Sequence, residues 1–448
     1  MKNLSLAKKL SLSFLTVFLV LVFIVSLVNL SVFDEELDPE LISLLTSSEI
    51  PANRENALYA LWGLEAAAQK NIVDTGIALV HQYRSNKELK NHDGLSSSDY
   101  LNILGGKNLD DHWKNKIENC VARKQSNCSS LLNTQLHDQP IKSERLELML
   151  ARYQQIIAMS KFQQINDHTI ASPLPPYGTL MKLKSIHLAR ILISDNFEEF
   201  YTHMQNDLRF WKMLLAQGDS ILDKMIAVVS IWSDIHTISE YVTKHKITSS
   251  VQLSDLQALL NTLTPEELDI GESFIFEQRA FGEYLGSYAD DKTASPLNWL
   301  FQPNATINAY NRLFTQKLVQ LSAQSSMNFY KTIGETHNGE LVCCFKELAA
   351  LRTFSPSSIY NYGGKLILST SSFQAQDYIA RVHDLNGMLS LVRLKLSLQS
   401  VNPSEITHAV SASIERNLYN QQPLEFDSDQ TRLGFNCLDK SSVCSVGL

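Results

Sequence analysis

Long apolar runs are almost absent from this 448-residue sequence: after residue 33 no stretch approaches the length of unbroken apolarity that a membrane crossing needs, which excludes a polytopic membrane protein. Positive charge is also in short supply, with 39 Lys and Arg against 47 Asp and Glu. The formal charge is −8, and removing Lys2, Lys8 and Lys9 leaves −8 − 3 = −11 for the remainder. Such a body repels phosphate, which argues against nucleic acid and anionic lipid surfaces as partners. Catalytic signatures are missing too. There is no His-Glu-x-x-His, and Gly363-Gly364-Lys365 is followed by Leu366 rather than Ser or Thr, so it fails as a phosphate loop. Cysteine is sparse, six in all, falling in three close pairs.

The exception among apolar runs lies at the start. Leu10 to Phe33 is interrupted only by Ser11, Ser13, Thr16, Ser26, Asn29 and Ser31. At ~1.5 Å per helical residue this crosses a ~30 Å hydrocarbon core. Lys2, Lys8 and Lys9 precede the run, whereas Asp34, Glu35, Glu36, Asp38 and Glu40 follow it. Positive charge stays on the cytoplasmic side, so the N-terminus is expected inside and the body outside. A cleaved signal peptide would have a shorter apolar region ending in small residues, whereas this one closes with Val-Asn-Leu-Ser-Val-Phe. The expectation is therefore an uncleaved signal anchor in the inner (plasma) membrane, with a periplasmic or otherwise extracytoplasmic body. The body has the composition of a globular protein, 44% hydrophobic and 19% charged for the whole chain. The short basic tail in front of Leu10 is too small to hold a signalling domain.

In an oxidising compartment, close cysteine pairs are read first as disulfides. Cys120 with Cys128 and Cys437 with Cys444 are the candidates. Closing a loop of about nine residues contributes roughly 2.5 kcal/mol in the chain-entropy model. Neither spacing, without a nearby His, suits zinc, and no metal or other cofactor is expected. The partners of Cys343 and Cys344 stay open, a strained vicinal ring being one alternative.

Periodicity divides the chain into a basic tail (1–9), the anchor (10–33), an acidic stem (34–55), an N-terminal helical region carrying the Cys120/Cys128 loop (56–172), and a main helical domain (173–448). Asn56 to about Ser85 reads as two helices, with Leu58, Leu61, Trp62 and Ala66 in phase and Ile72, Gly76, Ile77 and Val80 resuming the pattern. The polar stretch 87–107, ending in Gly-Gly, reads as a surface excursion. Ser143 caps a helix whose stripe is Leu146, Leu150, Tyr153 and Ile157. After Pro173, Pro175 and Pro176, helices are expected at 177–194, 197–217 and 220–245. In the second, Phe197, Phe200, Tyr201, Met204, Leu208, Trp211 and Leu215 form one apolar face. Gly218 stops it and Asp219 would cap the third helix, which returns antiparallel with Leu222, Met225, Val229 and Trp232 inward. Thr264-Pro265-Glu266-Glu267 is a capping box opening a helix to about Ser287. Further helices are expected near 304–324 and 373–399 and after Pro403. Leu424 and Phe426 should pair with Leu433 and Phe435 in a hairpin clipped by the Cys437/Cys444 loop. The fold class is thus mainly α: an N-terminal transmembrane helix, then an irregular, possibly solenoid-like array of antiparallel helical hairpins, with a small C-terminal β-hairpin.

Several phrases are similar to landmarks of uncharacterised bacterial single-pass, inner-membrane-anchored envelope proteins. They are Asn56-Ala57-Leu58-Tyr59 with Gly63, Leu150-Ala151-Arg152-Tyr153, Phe210-Trp211-Lys212, Lys224-Met225-Ile226, Tyr378-Ile379-Ala380-Arg381 and Gln422-Pro423-Leu424. The resemblance implies the N-terminal anchor and helical body, and it brings no activity and no catalytic residues.

Candidate chemistry is thin. Gly218-Asp219-Ser220-Ile221 resembles the start of an esterase block, but a helix stop and cap explain it. His236, with Asp234 and Glu240 near it, reads as a core histidine rather than a ligand. His203 and Asp207 read as a solvated pair on a polar face. His383 and Asp384 are adjacent in a helix, so their side chains diverge. Catalytic residues are therefore unknown, and an interaction or scaffold module for an envelope protein partner is the leading reading. An envelope hydrolase with a site assembled from distant residues, and a small-ligand or lipid carrier, are the alternatives.

Overall fold

A computed structural model describes residues 2–45, 53–88, 144–164, 174–290, 300–334, 359–370, 375–429 and 431–448. Cys120, Cys128, Cys343, Cys344 and the polar stretch 89–107 lie outside the described residues.

The first helix, α1 (Lys2–Val28), contains the 19-residue apolar span Leu10–Val28, long and apolar enough to cross a membrane. It ends sooner than the apolar run, at Asn29, whose side chain donates back to the Val25 carbonyl and also reaches into the body. Asn29 Nδ2 donates to the Ile359 carbonyl at 2.9 Å, and its Oδ1 accepts from the Asn361 amide at 2.8 Å. The acidic residues that follow are not a free stem. Asp34 accepts from the Asn304 and Ala305 amides, so it caps the N-terminus of α12 (Pro303–Tyr310). Glu35 and Asp38 face Arg312, and Asn308 donates to the Glu36 carbonyl. Leu41, on α2 (Pro39–Leu45), is buried in a small cluster with Leu285, Phe301 and Ile307.

The helices α3 (Ala57–Trp62) and α4 (Ile72–Glu88) approach backbone to backbone. A Cβ on Gly63 would lie 1.8 Å from the Ile72 carbonyl oxygen, and one on Gly76 would lie 1.7 Å from that of Tyr59. Only glycine permits this contact. Arg152, buried on α5 (Glu144–Ile157), donates to the Leu64, Ala66 and Ala67 carbonyls and so ties α5 to the link between α3 and α4.

The expected sequence of three helices is present as α6 (Tyr177–Leu192), α7 (Phe197–Gln217) and α8 (Ile221–His245). Asn196 caps α7 through the Glu198 and Glu199 amides. The cap of α8 is Ser220, one residue later than Asp219, in a reciprocal capping box with Asp223. Two contacts fix the antiparallel pairing of α7 and α8. At one end Phe200 stacks on Tyr241 with ring centroids 3.6 Å apart; at the other Lys224 Nζ caps the Leu215 and Ala216 carbonyls. The apolar face assigned to α7 is buried, with Tyr201 at its margin. On α8 the expected phase holds only at Met225. Leu222 is exposed, Val229 and Trp232 are half-buried, and the inward stripe includes Val228, Ile231, Ile235 and Ile238.

After α9 (Ser250–Leu259), the Thr264 capping box opens only α10 (Pro265–Leu268), and α11 (Gly271–Asp290) starts afresh. Asp269 causes the break by accepting from the Gly271 amide and the Ser322 hydroxyl. The helix expected at 304–324 runs as α12, a wide π turn over Asn311–Thr315, and α13 (Gln316–Ser322). The helices α14 (Ser326–Gly334) and α15 (Tyr362–Thr370) follow. Gly363 and Gly364 therefore lie in the first turn of a helix. α16 (Ala375–Ser397) is buried all round and packs along α8, where Lys395 Nζ donates to Ser239 and Thr243. After a 3-10 turn at Pro403–Glu405, α17 (Ile406–Ala412) is the last helix.

The C-terminal hairpin gains a third strand. β1 (Glu425–Asp427), β2 (Arg432–Gly434) and β3 (Ser445–Gly447) are antiparallel in that order, with Phe426 opposite Leu433 and Leu433 opposite Val446. Cys437 and Cys444 are joined in a disulfide, as their spacing predicts. The sheet closes over α16: a Cβ at Gly387 would meet the Phe435 ring at 2.5 Å. The architecture is mainly helical and irregular.

Candidate functional site

Four helices meet around one buried ammonium. Lys184 of α6, 1% exposed, donates to Asp207 of α7 and to Asp234 of α8. Asp207 also accepts from Tyr153 of α5 at 2.5 Å and from Trp211 Nε1 at 2.9 Å. Burial would raise the Asp207 carboxyl, but the Lys184 charge, His187 and these bonds hold it below the usual range. Burial and the neighbouring Asp207 charge push Asp234 well above it. Burial, then Asp207, keeps the Tyr153 phenol a protonated donor. The two carboxyls that share Lys184 are thus driven apart, Asp207 toward its charged form and Asp234 toward its protonated one. The expected solvated pair of His203 and Asp207 is thus overturned, because Asp207 is fully buried.

Above this cluster a polar cleft of about 280 Å³ opens between α5, α6 and α7. Glu147 and Arg190 form an ion pair at its rim, joined by two hydrogen bonds of 2.7 and 3.0 Å, and the Arg190 bond holds the Glu147 carboxyl below its usual range. Glu199 accepts from the Ser194 hydroxyl. His187 joins cleft and cluster: its ring centroid lies 5.4 Å from Tyr153 and 5.0 Å, edge-on, from that of His203. Burial lowers its pKa to about 4, so it is a neutral imidazole, and its Nε2 has no hydrogen-bond partner. The cleft can bind a small polar group, but it places no nucleophile beside a base.

The residues nominated by sequence are used in packing. Ser220 accepts from the Asp223 amide, and burial raises Asp219 to about 6. His236 lies beside Trp232, and burial, then Lys395, brings it to about 4; Asp234 turns away toward Lys184. His383 and Asp384 diverge as expected. His383 Nδ1 pairs with the Ser326 hydroxyl at 2.9 Å and its ring stacks on Phe329. Asp384 accepts from Tyr419 and from the Leu438 and Asp439 amides, so it holds the C-terminal segment onto α16. The Ser326–His383 pair is no catalytic dyad: Asp384 does not orient it, His383 Nε2 is buried without a partner, and both residues are buried. Among the described residues, the one group close enough to hold a metal is Asp384, Cys437 and Cys444, and its two sulfurs are already bonded to each other. Lys184 had no sequence signal beyond being a charge within an apolar helix.

Compared with known families, curated proteins and solved structures, the chain matches none.

Proposed function

We propose that the chain is a single-pass protein of the inner membrane, with its N-terminus cytoplasmic and its helical body extracytoplasmic, acting as an interaction or scaffold module for another envelope protein. The basic residues before the apolar span and the acidic ones after it support the orientation. The observation that carries the reading is the docking of the anchor. Asn29, Asp34, Glu35 and Asp38 fasten the end of α1 to α12 and to the segment before α15. Such a joint holds the body at a fixed height and attitude, which suits a protein that presents a surface to a neighbour.

The small-ligand alternative survives in one form, a small polar molecule in the His187 cleft, favoured by the unpartnered Nε2. A C-terminal tag, with cross-linking in intact cells before membranes are solubilised, is the test. Stoichiometric recovery of one partner supports the module, and recovery of the chain alone overturns it. Alkaline phosphatase fused after Leu448 should be active; an inactive fusion would overturn the orientation.

A further inference from the structure

We infer that the body also lies on the bilayer, with the exposed face of α15 and the exit turn Val32–Phe33 inserted in the interface between acyl chains and headgroups. This rests on the proposal that α1 spans the membrane. The 19 residues of Leu10–Val28 cover ~28 Å at ~1.5 Å per residue, close to a ~30 Å hydrocarbon core, so Asn29 sits at its edge. Asn29 is bonded to both Ile359 and Asn361, which fixes those residues at the same depth. Gln302 donates to the Leu30 carbonyl and Tyr360 to the Phe33 carbonyl, so the exit turn cannot swing away from the body.

Helix α15 begins at the next residue, Tyr362. From Tyr362 to Leu366 the helix advances only ~6 Å, within the ~5–8 Å of headgroup region on each side of a bilayer. Those two side chains are one turn apart on one face, 43% and 48% exposed. On the opposite face Leu368 is buried, and Ile367 packs on the cluster around Leu41. Val32 and Phe33 continue the exposed apolar surface at 76% and 54%. An aromatic ring and aliphatic side chains at this depth are what a bilayer interface accommodates. Three of the acidic residues at the exit are turned to the body: Asp34 caps α12, and Glu35 and Asp38 face Arg312. Because the body is negatively charged overall, apolar insertion rather than charge holds it to the lipid. The occupant of this face is therefore zwitterionic phospholipid.

The test uses the full chain in phosphatidylcholine nanodiscs, with the photo-cross-linker p-benzoylphenylalanine placed singly at Tyr362, Leu366, Phe14 or Ile414. Phe14 lies within the span, and Ile414, 93% exposed, lies far along the chain from the anchor joint. Tyr362 is a near-isosteric site, so a folding defect at Leu366 would not obscure the result. Expected is lipid adduct at Phe14, Tyr362 and Leu366, roughly tenfold above Ile414, as for side chains buried ~5–10 Å into an interface. Adduct at Phe14 but only the Ile414 level at Tyr362 and Leu366 would overturn the interfacial contact and leave the anchor standing. No adduct at Phe14, with the chain outside the discs, would overturn both.

Discussion

Replacing Lys184 with Met keeps a long unbranched side chain in place but removes the one cation between two buried carboxyls. Asp207 then retains only Tyr153 and Trp211 as donors, and its charge has no counter-ion in the core. Removing one member of a buried pair typically costs ~3–5 kcal/mol, because the other charge is stranded away from water. The matching surface change is Arg190→Met, which breaks the ion pair with the exposed Glu147 and should cost ~0.2–1 kcal/mol. For roughly 400 residues unfolding together the entropy is about 0.8 kcal/mol per kelvin, so Lys184→Met should lower the melting midpoint by about 4–6 °C and Arg190→Met by about 1 °C or less. Circular dichroism of the detergent-solubilised full chain reads both. The effect should also depend on pH in a defined sense. Without Lys184 the Asp207 carboxyl rises, so acid relieves the strain by protonating it, and the gap to wild type is larger at about pH 8 than at about pH 5. Adding Asp207→Asn to Lys184→Met should recover part of the loss. Equal midpoint shifts for the Lys184 and Arg190 variants, or a gap that ignores pH, would refute the reasoning.

Trp211→Ala removes a fully buried ring and a donor to Asp207, and should cost ~3–5 kcal/mol, whereas His203→Ala at the cleft should shift the denaturation midpoint little; identical midpoints would disprove the helical phase of α7. Gly76→Ala pushes a methyl into the Tyr59 carbonyl and must part α3 from α4, an overpacking cost of ~1–3 kcal/mol readable by thermal melting. His187 and His383 are neutral in the fold at about 4 against 6.5 in the free side chain, so each contributes stability above pH 6.5 that is lost as pH falls toward 4, roughly 3 kcal/mol at most. Asp384, raised to about 6 from 3.8, works oppositely: its contribution is full below 3.8 and is lost as pH rises through 6. With midpoints followed from about pH 7 to about pH 4, His187→Gln and His383→Gln should each lose less stability than wild type toward the acid end; parallel curves would contradict the assignment.

The N-terminal apolar helix, the helical class and the hairpin of α7 and α8 were legible because they rest on local signals, apolar length and 3.6-residue periodicity, as was the capping box at Thr264. The disulfide between Cys437 and Cys444 followed from their spacing, read with the expected oxidising compartment. What escaped was decided by partners far along the chain. Nothing near residue 34 says that its carboxylate caps a helix some 270 residues later. Asp207 looked like a solvated residue because its partners, Lys184 and Tyr153, come from other helices. Leu222 looked buried because α8 is apolar around most of its girth, so periodicity could not fix which face turns inward. The third strand was hidden since Ser445–Gly447 is too short to alternate visibly.

The wide turn at Asn311–Thr315 has a bearing on how the gene can change. A π turn holds one residue more than the α path it replaces, while the flanking segments keep their directions. Ile307 therefore faces the cluster around Leu41, and Phe314, Leu318 and Leu321 still reach the main core. In an ordinary core helix, losing a single codon rotates everything beyond it by ~100° and carries the apolar side chains off their partners. Here the loss of one codon inside 311–315 would convert the wide turn to α-helix and leave both faces aligned. The same loss a turn earlier or later would not be absorbed. A scan of in-frame deletions across this helix should therefore find a narrow window of tolerance flanked on both sides by failure.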